Sequence, residues 1–200
     1  ADRPGLLAQL SAAAPPAEGE AATRLLLKAL AESDDGKGIK ADAALRDRVR
    51  KLLVDPAATR AQMDVVVNFA PDITKALAPE AGAERKAIAG VFDTALTRLE
   101  ADASLSRADR LGALIARVQL ARIDAPKDER HPKLPAALVQ RVREHVARDD
   151  KEITDGYERQ AVITSGAWAL GEAGQWAESD ALLTAHLAKR HSPIYLMSQL

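Results

Sequence analysis

Ile88-Ala89-Gly90-Val91-Phe92-Asp93-Thr94-Ala95-Leu96-Thr97-Arg98-Leu99 decides the fold class. Its apolar residues Ile88, Val91, Phe92, Ala95, Leu96 and Leu99 fall at i, i+3, i+4, i+7, i+8 and i+11. That is one sustained stripe along a helix and not the alternation of a half-buried strand. The spacing predicts a helix over roughly 80–102. Just beyond it, Ser106 and Asp109 form an S-x-x-D start, in which the hydroxyl satisfies an amide that the first helical turn leaves open. The helix it opens turns Leu111, Leu114, Ile115 and Val118 inward. Upstream, past the polar break Ser33 to Gly38, Leu45, Val49, Leu52 and Leu53 line one face, and Asp47 and Lys51 sit four apart on the other. Asp55-Pro56 reads as an N-cap followed by proline at the first helical position. The helix that follows carries Met63, Val66, Val67 and Ala70. Val65-Val66-Val67 alone would also suit a short buried strand, but the flanks are helical and no partner strand is evident.

The segment Asp124 to Pro135, rich in proline and charge, cannot continue a helix. It divides an N-terminal set of hairpins, 1–123, from C-terminal helices, 136–200, within what is expected to be one continuous helical domain. After it, Leu138, Val142 and Val146 point inward and Glu144 is placed to pair with Arg148. Ile153, Tyr157, Ala161, Thr164 and Trp168 then recur at helical spacing. Gly171 and Gly174 mark a turn, Trp176, Leu183 and Leu187 continue on the next helix, and Ser192-Pro193 caps and opens a further one. The breaks are short, which favours antiparallel neighbours. The fold class is therefore all-α, an array of antiparallel helical hairpins. The stretch Ala173 to Leu183, with Gly174, Trp176 and Ser179 and with Pro193 beyond, resembles the second helix of a tetratricopeptide unit. No second copy recurs at a period near ~34 residues, so the likeness is to a degenerate unit.

Composition agrees. Of 200 residues, 47% are hydrophobic and 28% charged, which excludes a fully disordered chain. Ala and Leu dominate the apolar set, and both enter helices at little cost. The net charge is −1, from 28 basic and 29 acidic residues mixed along the chain. With no basic stripe, and only two Trp, two Tyr and two Phe, neither phosphate neutralisation nor base stacking finds a platform. Nucleic acid is not an expected partner. There is no Cys, hence no thiolate nucleophile or zinc-thiolate site. No apolar run approaches the ~20 residues of a membrane span. The start at Ala1-Asp2-Arg3-Pro4-Gly5 and the apolar finish Ile194 to Leu200 suggest a piece of a longer protein.

Each candidate for chemistry has a plainer explanation. His186 and His191 are five apart, on different helix faces; His131 lies in the proline-rich segment and His145 on a helix. No ligand spacing appears, and exposed or capping histidines are the expectation. Asp149, Asp150, Glu152 and Asp155 sit where one helix ends and another begins, a solvated terminus more than an acid–base pair. A helical enzyme built on these acids is the remote alternative. There is no phosphate-binding loop, dinucleotide fingerprint or nucleophile elbow. Ser165-Gly166 lies in a helical stretch, where the small residue lets a neighbouring helix approach. No catalytic, cofactor-binding or metal-binding residue is assigned. Tyr157, Trp168, Trp176 and Tyr195 cluster in the last quarter of the chain. Helical spacing favours core packing for them; the other reading makes them anchors for a partner protein.

Tyr157 to Thr164, Gly174-Gln175-Trp176, Ser179 to Leu183 and above all His191 to Leu200 resemble the helical region downstream of the thioredoxin fold in a group of proteobacterial thioredoxin-family proteins of the cell envelope. Ser106 to Leu111 and His131 to Pro135 are also similar, so the likeness covers most of residues 80–200. The resemblance implies a periplasmic, non-catalytic interaction module that positions a redox domain or grips its client. The family's Cys-x-x-Cys pair has no counterpart in this Cys-free chain, so no redox residue is carried over. The family's helical region also continues past a segment like Ser192 to Leu200. A free-standing helical adaptor unrelated to thiol chemistry is the alternative.

Overall fold

The computed structural model describes residues 16–32, 42–125, 134–152 and 156–188. Among them are nine helices and no strand: α1 (Pro16–Ala31), α2 (Ala43–Val54), α3 (Pro56–Ala61), α4 (Met63–Leu77), α5 (Ala83–Ala101), α6 (Arg107–Ala121), α7 (Ala136–Glu152), α8 (Gly156–Glu172) and α9 (Trp176–Ala188). They form two compact units, one up to Ala103 and one from Ser104.

In the first unit α4 packs against α1 and α5, and α5 also meets α2 and α3. The stripe on α5 behaves as its spacing requires: Ile88, Phe92, Ala95, Leu96 and Leu99 are buried, and Val91 is half-buried. Leu45, Val49 and Leu53 of α2 are buried as well. The valine run is helical, with Val65 and Val66 fully buried on α4. Asp55 caps α3, accepting from the Ala57 and Ala58 amides at 2.9 and 3.3 Å, with Pro56 in the first turn. The chain turns at Gln62, so the expected helix after Asp55 is two, α3 and α4.

Helix ends leave carbonyls without intrahelical partners, and arginines are suited to take them. Here Arg46 Nε donates to the Leu77 carbonyl at 3.0 Å and Arg85 Nε to that of Ala78 at 2.8 Å, both where α4 ends. Arg98 reaches from α5 to the end of α2, donating to the Val54 carbonyl at 2.7 Å and to that of Leu53. These cations also meet the negative end of each helix dipole.

The second unit is built around α8, which packs against α6, α7 and α9. Its core joins Leu111, Leu114 and Val118 of α6 to Leu138, Val139, Val142 and Val146 of α7, with Val162, Ile163, Ala169 and Leu170 of α8 and Ala173 just beyond. One helix before the Asp124–Pro135 segment thus shares a core with helices after it; residues 126–133 lie outside the described residues. Ser106 starts α6 as the S-x-x-D spacing predicts, its hydroxyl oxygen accepting from the Asp109 amide at 3.1 Å.

The inward face of α8 corrects the sequence reading. Ala161 and Trp168 are exposed and Thr164 is half-buried, whereas Val162, Ile163, Gly166, Ala167, Ala169 and Leu170 are buried. With neighbours on three sides, α8 buries most of its circumference. Small residues sit at the close approaches, and the bulky indole turns outward. On α9, likewise, Ser179 and His186 are buried and Leu182 packs on the core, while Trp176 is exposed and Leu183 half-buried.

Candidate functional site

The α8–α9 hairpin gathers the described members of the aromatic set. Its turn is a Schellman motif. The Gln175 amide donates to the Leu170 carbonyl and the Gly174 amide to that of Gly171, both at 2.8 Å. The motif needs a left-handed residue, and Gly174 supplies it with φ of 74°. This turn folds Trp176 back onto α8. A Cβ at Gly171 would lie 2.9 Å from Trp176 Cζ3, so the absent side chain is what lets the indole rest there. Trp168 stands three residues before Gly171, on the same side of α8. The two indoles therefore share one end of the hairpin.

Neither tryptophan is core: Trp168 is 44% exposed and Trp176 47%. The expectation of core packing fails for both, because the inward positions of α8 and α9 are taken by smaller side chains. Tyr157 falls within the span of α8, but its side chain lies outside the described residues, as does Tyr195 altogether.

Three acids occur near the two tryptophans in sequence. Glu172 follows Trp168 by four residues and pairs with Arg122 of α6. Asp180 follows Trp176 by four and is exposed. Between them, Glu178 receives Arg143 of α7, whose Nε donates to Glu178 Oε2 at 2.7 Å and whose Nη2 donates to Gln175 Oε1 at 3.1 Å. The Arg143 hydrogen bond holds the Glu178 carboxyl below the usual glutamate range, more strongly than partial desolvation raises it. The Arg143 guanidinium is raised in turn. Ser179 is buried, and its hydroxyl donates to the Ala167 carbonyl at 2.7 Å. Arg143 and Arg122 escaped the sequence reading because their partners lie 35 and 50 residues away.

The histidines are placed differently from expectation. His145 and His186 are buried, at 4% and 6% exposure, not exposed or capping. Arg148 Nη2 lies 3.0 Å from His145 Nδ1, and a guanidinium can only donate, so that ring nitrogen accepts. His131 and His191 lie outside the described residues, as do Asp155 and the side chains of Asp149, Asp150 and Glu152. Among the described residues no three His, Asp or Glu side chains come together as metal ligands. No described helix is long and apolar enough to cross a membrane.

Among the described residues of the first unit, two clefts are lined by charged side chains. One of about 430 Å³ is lined by Pro56, Thr59, Arg60, Arg98, Leu99 and Asp102. Another, about 380 Å³, lies between Arg46 and the Pro79–Glu84 stretch. Their charged groups face each other, Arg60 with Asp102 and Arg46 with Glu84, each at 3.1 Å. Neither lining includes a nucleophile beside a base, the minimum for covalent catalysis.

Comparison with family models, with curated proteins and with solved structures finds no match to this chain.

Proposed function

We propose that this chain is a non-catalytic helical module that binds another polypeptide through the α8–α9 end, with Trp168 and Trp176 as its anchors. The observation that carries the reading is their exposure: two large indoles, each nearly half open to water, stand on one hairpin. Large side chains that can be desolvated at the centre of a contact supply most of the binding energy of protein interfaces, with tryptophan foremost. The hairpin beneath is well fixed. The Schellman turn, the Ser179 bond to α8 and the Arg143 clamp hold both helices in register, so little ordering is left for the moment of binding.

The resemblance of residues 80–200 to the helical region of thioredoxin-family envelope proteins suggests the partner: a thioredoxin-fold domain or its client, in the periplasm. Without Cys the module carries no thiol chemistry, and its role would be to position the partner that does. A photo-crosslinking residue at 168 or at 176, in the native cell, tests both parts. The same protein captured from both positions, and not from the exposed Lys51, supports the module. A thioredoxin-fold protein or its client as that adduct supports the specific partner, and an unrelated protein favours the free-standing adaptor. No position-dependent adduct would remove the reading.

A further inference from the structure

We propose that the α8–α9 patch selects a segment in which lysine or arginine stands beside an apolar residue; the inference rests on the interaction reading above. Each helix carries the same pair, an exposed tryptophan with an acid four residues on: Trp168 with Glu172, and Trp176 with Asp180. Residues four apart on a helix are neighbours on its surface, so each indole has a carboxylate beside it. Glu178, two residues from Trp176, turns instead toward Arg143 of α7. Glu172 also faces Arg122, while Asp180 stands exposed on the outer side of α9. Among the described residues, Asp180 is thus the carboxylate beside an indole that no arginine faces.

An indole face attracts a cation through its quadrupole, and a nearby carboxylate adds a charge-assisted hydrogen bond. The rest of the approach is smooth. Ala177, Ala181, Thr184 and Ala185 are exposed on the outer side of α9, small and uncharged, so a chain can lie close along the helix with its apolar residue beside Trp176. An acidic segment would meet the same carboxylates as like charges.

Selection from a random dodecapeptide library, run in parallel on the full 200-residue chain and on its Trp168→Ala/Trp176→Ala variant, tests this. The expected result is a motif with Lys or Arg next to an aliphatic or aromatic residue, recovered on the parent and lost on the variant. Far-UV circular dichroism would first establish that the variant keeps its helices. A peptide carrying that motif, titrated by tryptophan fluorescence, should bind about tenfold more weakly to Asp180→Lys and more weakly as salt is raised. A tryptophan-dependent motif without a cation would overturn the charge selection and leave the interaction reading standing. No tryptophan-dependent motif would overturn the inference, and crosslinking at 168 and 176 then shows whether the interaction reading falls with it.

Discussion

Gly166 of α8 lies against Val146 of α7 so closely that a methyl group added at Gly166 would fall inside the Val146 side chain. Replacing a helical glycine by alanine ordinarily stabilises by roughly 0.5–1 kcal/mol, because glycine loses more backbone freedom on folding. Here the packing term opposes it. Val146 Cγ2 belongs to a short, stiff, buried side chain, so α7 must move or the ring of contacts around it must loosen. Gly166→Ala should therefore destabilise the second unit, by about 1–3 kcal/mol as overpacked cores do. Urea melts monitored by circular dichroism would measure it. Val146→Ala in the same chain should recover part of the loss, and purely additive effects would show that the two residues are not in conflict.

Trp168→Ala should behave in the opposite way. A buried tryptophan truncated to alanine costs about 3–5 kcal/mol. At 44% exposure, with the core positions of α8 filled by other residues, the indole has far less to lose. Destabilisation below about 1 kcal/mol is expected in thermal or urea melts. A loss in the core range would mean that the ring is held, and would take an anchor away from the proposed surface.

The contrast between α5 and α8 explains how much of this fold was legible in the sequence. On α5, Ile88, Phe92, Ala95, Leu96 and Leu99 make a single stripe that spacing alone reveals. On α8, packed on three sides, nearly every described turn is buried somewhere, and no phase stands out; choosing Trp168 as a core marker put the stripe on the wrong side. Local chemistry was readable at several places where the partner lies within a turn, though not for Arg148, whose spacing points to Glu144 and which meets His145. Ser106 with Asp109, Asp55 with the Ala57 amide, and Gly174 at its turn all follow from neighbouring residues. Arg98 on the Val54 carbonyl and Arg143 on Glu178 join residues 44 and 35 apart, and nothing in either local stretch announces them. The aromatic site was legible as residues and not as a surface, since exposure is decided by what the neighbouring helices bury.

Asp55 sits between two helices as the C-cap of α2 and the N-cap of α3, and its carboxylate accepts from the first amides of α3. Beside it the buried Thr59 hydroxyl lies 2.8–3.2 Å from the carbonyls of Leu52, Leu53 and Asp55, so the α2–α3 corner is stitched from both sides. Asp55→Ala removes the cap and should cost about 1 kcal/mol; Asp55→Asn, which keeps the accepting oxygen, should cost much less. Hydrogen exchange of the Ala57 and Ala58 amides would localise the effect, faster in the alanine variant and close to the parent in the asparagine one.

Acid should release the clamp between α7 and α9. The Arg143 hydrogen bond holds the folded-state pKa of Glu178 below its unfolded value, which lies near ~4.3. A group depressed in this way stabilises the fold above the unfolded pKa, and the contribution is lost as pH falls through the folded one. Both side chains are about two-fifths exposed, so salt screens the pair and its share of stability is small. The expected signature is a difference between curves. The parent should exceed Arg143→Gln in stability at neutral pH, and the gap should narrow on acidification below the ordinary glutamate range. It should narrow in high salt as well. Because Arg143 also donates to Gln175 next to Trp176, the indole's emission should shift in the variant at neutral pH. A stability gap that stayed constant through acid would assign the role of Arg143 to packing of its stem and not to the charge on Glu178.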